Sequence, residues 1–514
     1  MKLTVEFLRN EPIADKAKNM KAAKSKSRLW SVRLLAGGVG FGFLAYASAI
    51  LGAALTFIVL FDLCVYTLLI AAILFCYSLT SSNKQTALLG HRFLLAASAV
   101  GLIVLGFFVN KLMTGQDPSG AEQAGKTQRD RQKLLSMPYL DWAKNDGSTT
   151  GVIINKPEKS YQGPNLTASK VWGFDEVAYL YDMEGELVHR WTTEEDLPTF
   201  WEYAELTETG DLLAIAYEKG MSKFDWDSNL IWDNNDLRPH HDFFVSEGKH
   251  IFAMSREDSV IFVSGIPFPI LEDTVVELDA NGKTLKEYRY LHSIKERIPV
   301  RKLASNYLWF LNPVNMLRLV SSKLKNGYAF GNDTGFDLMH SNSIQVLERD
   351  LPELGQKGDF LLSIRELDLV CVYRPSTKTV VWSWGPGTIC RQHHPTALKN
   401  GNVLIFDNGT VLGYSRILEI GPGSKEILWS YNSQGNMSFF SGRAGGCQRL
   451  PNGNTLITES HKSHVFEVTE RGEIVWSFIN PLQIKNKRPV IYRMMRITDP
   501  EIRSQIEKNM SETN

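Results

Sequence analysis

The sequence has no excess of charge of either sign. Lysine and arginine together number 56, and so do aspartate and glutamate, which gives the 514 residues a formal net charge of +0 at pH 7. Bulk attraction to nucleic acid requires a basic surplus. We therefore expect no nucleic-acid partner.

Cysteine is also scarce. The sequence has five cysteines, of which Cys64 and Cys76 lie in an apolar front segment, while Cys371, Cys390 and Cys447 are scattered further along. An odd number outside the front segment leaves at least one thiol unpaired there. The spacing therefore predicts no disulfide framework.

Charged residues are nearly absent from two long stretches near the start of the chain. Residues 34–79 contain only Asp62, and no acid or base lies between Phe93 and Val109. One helix over the first stretch would be about 69 Å long, roughly twice the thickness that a bilayer can cover. The first stretch is therefore predicted to form two spans and the second a third, which gives a transmembrane domain of three helices over residues 34–112.

Basic residues flank this predicted membrane domain on one side. Residues 16–33 carry seven lysines and arginines and no acid, and Lys84 and Arg92 precede the third span. By the positive-inside rule, residues 1–33 are predicted to be cytoplasmic, in an integral membrane protein of a bacterial inner or cell membrane. The apolar stretch starts too late and runs too long for a cleavable signal peptide. After three spans and a flexible tether at 113–134, the remaining chain would face the periplasm or the cell exterior.

A repeat fills most of the remaining sequence. Each unit contains apolar strands separated by Gly-containing turns, and the last strand carries Trp or, once, Lys. The three clearest copies follow one another at equal intervals of 47 residues. Four short strands per unit of roughly 40 to 50 residues are typical of a β-propeller blade. The six repeat positions are Trp191, Trp232, Lys286, Trp382, Trp429 and Trp476.

These positions predict an all-β, six-bladed β-propeller over residues 135–483, preceded by the transmembrane domain and followed by a C-terminal tail at 484–514. The interval between Lys286 and Trp382 is twice the usual length. It indicates either a blade with a long insertion, which we favour, or a degenerate seventh blade.

Histidines lie on three of the connections that lead into blades. These are HHD at 240–242, HSNS at 340–343 and QHH at 392–394. Equivalent positions of successive blades lie at the same end of a propeller, so these loops are expected to converge on the central channel. Arg365 follows in the apolar strand LLSIRELD, where a charge needs a partner or a ligand. One blade histidine alone is more often a hydrogen-bonded core residue than a catalyst.

The segments HHD, HSNSI, SIRELD, QHH and NGNVLIFDNG, in that order, resemble the bacterial arylsulfate sulfotransferases. The resemblance covers roughly residues 135–480. It implies a six-bladed propeller that transfers a sulfuryl group from a phenolic sulfate ester to another phenol, independently of the nucleotide donor PAPS, by a ping-pong mechanism through a sulfohistidine. Those family members have an N-terminal β domain, and here the predicted membrane domain takes its place.

The resemblance also implies roles for the residues. An imidazole can attack sulfur, a guanidinium can hold two sulfate oxygens, and a second imidazole can transfer the proton of the phenol. The doubled histidine at 393–394 leaves the nucleophile open, with His393 favoured, and FDNG at 406–409 is expected to shape a turn. No metal and no cofactor are required. The expected catalytic residues are His393, His340, Arg365 and His241, with His240, His394 and Asn342 as possible additional ones.

The expected partners are a phenolic sulfate ester as donor, a phenol or an envelope hydroxyl as acceptor, and the lipid bilayer. Residues 295–325 combine seven basic residues with aromatic ones. This composition fits a lid over an anionic aromatic substrate, a contact with the membrane surface, or a packed helical insertion with a solvated basic face.

Two other functions remain open from the sequence. One is a metal-dependent propeller hydrolase or lactonase with His240, His241, Asp242, His340 and His393 as ligands, although clustered carboxylates, which hard metals prefer, are missing. The other is a non-catalytic binding propeller tethered to the membrane.

Overall fold

The structure is a computed structural model that describes residues 142–144, 149–168, 176–193, 201–263, 266–299, 302–303, 336–432, 439–483 and 487–513. The predicted cytoplasmic segment, transmembrane domain and tether lie outside the described residues. Within the ranges described, no helix is long and apolar enough to cross a membrane. The three cysteines in these ranges, Cys371, Cys390 and Cys447, are free thiols.

Short apolar, β-branched runs between turns form strands, as the repeat predicts. The strands of the first half are β1 (Trp142–Lys144), β2 (Gly151–Asn155), β3 (Asn165–Ala168), β4 (Glu176–Tyr181), β5 (Leu187–Thr192), β6 (Trp201–Leu206), β7 (Leu212–Ala216), β8 (Gly220–Phe224), β9 (Leu230–Asn234), β10 (Pro239–Val245), β11 (Ile251–Val263), β12 (Ile266–Leu278) and β13 (Thr284–Arg289).

A long connection then leads to the strands of the second half. These are β14 (Ser341–Val346), β15 (Phe360–Ile364), β16 (Leu369–Arg374), β17 (Thr379–Trp384), β18 (His393–Ala397), β19 (Val403–Asp407), β20 (Arg416–Ile420), β21 (Ile427–Tyr431), β22 (Gly446–Arg449), β23 (Thr455–Glu459), β24 (His464–Val468), β25 (Ile474–Ile479), β26 (Lys487–Pro489) and β27 (Met494–Arg496).

Helices are few in the described ranges. The helix α1 (Leu291–Ile294) begins the long connection and runs into a 3-10 turn at Lys295–Arg297, and α2 (Pro500–Thr513) follows the last strand. Further 3-10 turns lie at Arg365–Leu367 and Ser460–Lys462.

The strands form six antiparallel blades, which confirms the predicted propeller. Blade 1 contains β27 and β3–β5, blade 2 β6–β9, blade 3 β10–β13, blade 4 β14–β17, blade 5 β18–β21, and blade 6 β22–β25 with β2 as a fifth strand. The first strands contact one another from blade to blade, β6 with β10, β10 with β14, β14 with β18, β18 with β22 and β22 with β27. They therefore surround a common channel.

The ring is closed from both ends of the propeller sequence. β27 pairs with β3, with Met494 opposite Thr167, and β2 pairs with β25, with Gly151 opposite Ile479. Our expectation of a tail at 484–514 that extends past the last blade is therefore wrong for this part of the chain. A strand of three residues is too short to show an alternating pattern, so β27 escaped the sequence argument.

The repeated tryptophans join neighbouring blades. On the fourth strand of blade 4, Trp382 donates its indole N–H to the carbonyl oxygen of Pro422 in blade 5, at 2.9 Å. Trp191, Trp232, Trp429 and Trp476 make the equivalent bond to the next blade, and Trp476 closes the ring onto Met183 of blade 1 at 2.8 Å. The repeated tryptophan thus marks a hydrogen bond that five of the six blades make to the next blade.

The long interval between Lys286 and Trp382 contains an insertion between blades 3 and 4, because the strands described between these positions, β14–β17, form a single blade whose last strand carries Trp382. Its described beginning packs into the core through Leu291, Ile294, Ile298 and Leu303. Lys302 binds the Glu366 carboxylate at 2.9 Å. The other residues of the basic segment at 304–325 lie outside the described ranges, so its role as a lid or membrane contact stays a prediction.

Candidate active site

The predicted histidines lie at the starts of the first strands of blades 3, 4 and 5. His240 and His241 belong to β10, His340 directly precedes β14, and His393 and His394 begin β18. The register of each of these strands shifts beside its histidine. Such bulges change the direction in which side chains point.

Three of these histidines have an unusual backbone. The φ angles of His241, His340 and His394 are 63°, 47° and 47°, in the left-handed region that residues other than glycine seldom adopt. Each such residue costs on the order of 1–3 kcal/mol, and residues of this kind cluster at functional sites. The same strained backbone recurs where the first strands of three blades begin, which indicates that it has the same structural role in each blade.

His241 and His340 face each other directly. Their Nε2 atoms are 3.0 Å apart. On the far side of each ring a carboxylate accepts from Nδ1: Glu202 at 2.9 Å for His241 and Asp337 at 2.5 Å for His340. The same carboxylates also accept the backbone N–H groups of the two histidines, at 2.6 and 2.8 Å. The result is a chain of four side chains from blade 2 to the end of the insertion.

In this chain of side chains, burial and the neighbouring charges change the pKa values in opposite directions. Burial lowers the pKa of His241 to about 3, although Glu202 acts in the other direction. Burial disfavours the ionised form of Asp337, but the charges of His340 and Arg256 outweigh it and lower the pKa of that carboxyl. Asp337 is therefore an anion, and His241 is a neutral ring whose Nδ1–H donates to Glu202.

His240 lies behind this chain and supports it. Its ring is fully buried, its Nδ1 accepts a hydrogen bond from Arg256 at 2.9 Å, and its Nε2 lies 3.3 Å from Asp273. Arg256 also approaches Asp337, at 3.8 Å. Both nitrogens of His240 face protein groups, so the structure gives it a supporting position.

His393 has one occupied and one free ring nitrogen. Its Nδ1 is 2.7 Å from Asn408 Oδ1 and 3.1 Å from the Arg391 carbonyl oxygen. The amide nitrogen of Asn408 donates to the carbonyl oxygens of Ser441 and Ala444, at 2.5 and 3.0 Å, which turns Oδ1 toward the ring. Nδ1 must then carry the proton, and the lone pair of the buried Nε2 accepts no hydrogen bond from any described group.

His394 has the opposite arrangement. Its Nδ1 accepts the backbone N–H of Cys447 at 3.3 Å, so the neutral ring carries its proton on Nε2. Burial and then the charge of Arg493 lower the pKa of His394 well below its usual value. Of the two adjacent histidines, only His393 presents a free lone pair.

Arg365 supplies positive charge close to His393. It begins the 3-10 turn after β15, and its backbone N–H donates to the His340 carbonyl oxygen at 3.3 Å. Its guanidinium donates to Glu366 at 3.1 Å, while its Nε has no partner among the described residues. Burial, and next the charge of Arg365, lower the pKa of His393 well below its usual value, so this imidazole is neutral at neutral pH.

Asn342 and Gln392 position the strand that carries His393. Asn342 donates to the Gln392 carbonyl oxygen at 2.9 Å, and the Gln392 amide donates to Ser363 and to the Leu369 carbonyl oxygen at 3.1 and 3.0 Å. The Oδ1 atom of Asn342 is buried and has no partner within the described ranges. Asn342 thus joins blades 4 and 5 beneath the site.

Four residues of the site were missed by the sequence argument. Tyr492 stacks on His241 with ring centres 5.8 Å apart, and its edge meets His393 at 6.5 Å. It lies in the segment expected to be a tail. Glu202 and Asp337 stand in segments without a motif, although Asp337 precedes His340 by three residues. Asn408, expected only to shape a turn, binds His393 as well.

The metal-site alternative finds no support in the geometry. Across the described ranges, no three His, Cys, Asp or Glu side chains are arranged to hold a metal ion. Of its proposed ligands, Asp242 binds Arg493 at 2.7 Å, and His240 and His241 face the protein groups described above.

One protein family and several solved structures are similar to this chain. The sequence model of the family described as arylsulfotransferase (ASST) matches residues 219–481, about half of the chain. No curated protein matches. Solved structures that are similar include a protein of unknown function from Bacteroides caccae, with 13% identity over 66% of this chain and 100% of that one, at a TM-score of 0.41.

Another similar structure is a streptogramin B lyase, with 13% identity over 68% of this chain and 86% of that chain, at a TM-score of 0.35. A virginiamycin B lyase from Staphylococcus aureus with quinupristin is 10% identical over 68% of this chain and 88% of its own, at a TM-score of 0.36.

Proposed function

The chain belongs to the arylsulfotransferase family, and on that premise we propose that it transfers a sulfuryl group from a phenolic sulfate ester to an acceptor hydroxyl without PAPS. The reaction is ping-pong, and His393 carries the sulfuryl group between the two halves. Family membership itself implies a transferase with a sulfate donor and a hydroxyl acceptor. The aryl donor and the sulfohistidine are the proposed refinements.

The observation that carries the proposal is the state of His393. Its Nε2 lone pair is free among the described residues because Asn408 holds the proton on Nδ1. A neutral imidazole with a fixed tautomer is a competent nucleophile toward sulfur. His394 lacks such a lone pair, which supports His393 as the residue that is sulfated.

Arg365 balances the charge that the sulfate group brings. Sulfuryl transfer resembles phosphoryl transfer, in which catalysis consists mostly of positioning and of neutralising the equatorial oxygens. A planar guanidinium can donate two parallel hydrogen bonds to such oxygens. The Nε of Arg365 has no hydrogen-bond partner among the described residues, and the charge of Arg365 acts on His393, which fits this task.

In the donor half-reaction, the lone pair of His393 Nε2 forms a bond to sulfur while the bond from sulfur to the phenolic oxygen breaks. The leaving oxygen takes a proton from the facing histidines, His241 and His340. In the acceptor half-reaction the acceptor hydroxyl returns a proton to these histidines, its oxygen binds sulfur, and the N–S bond breaks with its electron pair returning to Nε2.

The proposal is tested by following nitrophenol release from 4-nitrophenyl sulfate with and without a phenol acceptor. We expect release in the wild type that is stimulated by the acceptor, and loss of at least about 1000-fold in His393→Ala, since the nucleophile is removed. His250→Ala, on an exposed ring that pairs with Glu277 at 2.6 Å, serves as the matched control and should retain activity. Equal activity of wild type and His393→Ala would refute the proposal.

We also propose that the propeller faces the periplasm or the cell exterior and that its acceptor is a phenol or an envelope hydroxyl. The stretch at 34–79, whose single charged residue is Asp62, the uncharged stretch at 93–110 and the basic residues before them support this orientation. Accessibility of a cysteine introduced at Val411, an exposed residue, to a membrane-impermeant thiol reagent in intact cells tests it. Labelling only after cell lysis would contradict it.

A further inference from the structure

The chain Glu202–His241–His340–Asp337 fixes the number of protons in the site. Both Nδ1 atoms face carboxylate oxygens, at 2.9 and 2.5 Å, so both must carry hydrogen. If the rings were otherwise neutral, two lone pairs would meet across the 3.0 Å between the Nε2 atoms, which is unfavourable. One proton between these atoms turns the repulsion into a hydrogen bond.

The groups around the chain agree with one added positive charge. Glu202 and Asp337 provide two negative charges at its ends, and both are buried, with side-chain exposures of 3% and 5%. Arg256 approaches Asp337 at 3.8 Å, Tyr492 stacks on His241, and the rings of Tyr217 and His240 lie 6.3 and 5.1 Å from the His241 ring. The charge of Asp337 also acts on Arg365 and raises its pKa, against the effect of burial. A protonated histidine pair between two carboxylates is thereby compensated.

We propose that Glu202 and Asp337 are positioning residues that hold a single transferable proton between His241 Nε2 and His340 Nε2, and that this proton is the one given to the leaving phenolate. The inference rests on the function proposed above. The proton lies between the two Nε2 atoms, which are 3.0 Å apart, until a leaving oxygen replaces one of them as its acceptor.

The proton balance closes over one turnover. The pair loses its proton to the aryl oxygen as the S–O bond breaks, and phenol departs. The pair, now neutral, takes a proton from the acceptor hydroxyl as the new S–O bond forms and the N–S bond breaks. No outside acid is needed, so the two half-reactions use the same proton site in opposite directions.

Amide substitutions separate this role from a structural one. In Asp337→Asn the amide oxygen can still accept the backbone N–H of His340, but its NH2 group then faces Nδ1 and requires a lone pair there. His340 keeps hydrogen on Nε2 alone, and the pair becomes neutral. Glu202→Gln has the same effect on His241. A neutral imidazole is a far weaker acid than an imidazolium, so the transfer of a proton to the leaving group becomes slower.

The test compares two donors, phenyl sulfate and 4-nitrophenyl sulfate, in the full-length protein. Phenolate is the poorer leaving group and needs the proton more. We expect Asp337→Asn and Glu202→Gln to lower kcat/KM for phenyl sulfate by about 100-fold or more, within the range of general acid catalysis, and that for 4-nitrophenyl sulfate by less than about 10-fold.

The matched control is Asp359→Asn. Asp359 is a buried carboxylate of the same blade, bound to Arg374 at 2.7 Å, and it precedes β15 whereas Arg365 follows it, so it lies at the opposite end. Asp359→Asn should change kcat/KM for phenyl sulfate and for 4-nitrophenyl sulfate by the same factor. A nitrogen-15 NMR spectrum of labelled histidines gives a readout independent of turnover: one doubly protonated ring of the pair in the wild type and none in Asp337→Asn.

The outcomes are distinct. If Asp337→Asn lowers kcat/KM by the same factor for both donors, the inference is overturned while the proposed function stands. The same holds if both rings of the pair are neutral in the wild type. If the wild type transfers sulfate from neither donor, the proposed function fails and this inference fails with it.

Discussion

The neighbours of His393 give its two ring nitrogens different tasks. Asn408 accepts from Nδ1 at 2.7 Å, and its own amide group is held by the Ser441 and Ala444 carbonyl oxygens of blade 6. Two backbone carbonyls therefore fix the amide, the amide fixes the tautomer, and the tautomer leaves the Nε2 lone pair free for the proposed attack on sulfur. In this proposal, the reactivity of one atom depends on the geometry of a second blade.

Removing this amide tests the tautomer argument. Asn408→Ala should slow the first half-reaction by about 100-fold, because the wrong tautomer of a catalytic histidine is strongly impaired. It should also cost about 1–3 kcal/mol of stability, since the buried hydrogen bonds that the Asn408 amide donates to two carbonyl oxygens are lost. Stopped-flow release of nitrophenol and urea unfolding measure the two effects.

The control for this variant is Asn454→Ala. Asn454 is also buried, and its amide donates to the Lys159 carbonyl oxygen and to Glu467 in blade 6. The Asn454→Ala variant should be less stable, but each folded molecule should carry out the first half-reaction at the wild-type rate. An unchanged first half-reaction in Asn408→Ala would show that the tautomer of His393 is not set by this bond.

The sequence could suggest His241, His340 and His393 because they recur at matching places in a repeat. It could not suggest Glu202 or Tyr492, which come from blades 2 and 1 and meet the histidines only after the ring has closed. Nor could it choose between His393 and His394, since the choice depends on which nitrogen of each ring has a partner.

At the scale of elements, one tryptophan indole joins the fourth strand of most blades to the next blade by a hydrogen bond. The bond is buried for Trp382, which donates to the Pro422 carbonyl oxygen at 2.9 Å, and exposed for Trp429, which donates to that of Glu470 at the same distance. Burial determines how much such a bond contributes to stability, because a buried carbonyl that loses its donor cannot form a hydrogen bond with water instead.

This difference predicts unequal effects of one substitution. Trp382→Phe should lower the free energy of unfolding by about 1–3 kcal/mol more than Trp429→Phe, the matched position whose indole hydrogen bond is exposed. Denaturant titrations of the two variants and the wild type provide the measurement. Equal losses would mean that the indole bond adds little beyond ring packing.

Strands with a tryptophan at the repeat interval were predicted correctly, and the blade that ends in Lys286 was recovered only from its turn and its apolar run. β27 could not be predicted, because three residues carry no periodicity and its partner β3 lies more than three hundred positions earlier. Pairing across such a separation is decided by closure of the ring, which is a property of the whole molecule.

For the molecule as a whole, the two closing strands link structure to function. β27 completes blade 1 and follows directly after Tyr492 and Arg493. Arg493 binds Asp242 at 2.7 Å, and Asp242 accepts the backbone N–H of Ile344 at 3.1 Å. The segment that closes the ring therefore also supports the strands that carry His241 and His340.

Shortening the chain tests this link. Deletion of residues 487–514 removes β27, Tyr492 and α2 and should abolish both the cooperative thermal transition and activity. Deletion of residues 500–514 removes only α2, whose Ile506 packs against blades 1 and 2, and should lower the midpoint while keeping activity. Thermal unfolding at the same midpoint for the longer deletion and the full chain would contradict the closure account.

The central claim concerns one atom, His393 Nε2, and mass spectrometry tests it most directly. The protein is incubated with 4-nitrophenyl sulfate in the absence of acceptor, quenched at alkaline pH and digested. We predict that the peptide containing His393 gains the mass of one SO3 group, that the group maps to His393 rather than His394, and that added phenol removes it. A protein that transfers sulfate while this peptide stays unmodified at every time point would contradict the account.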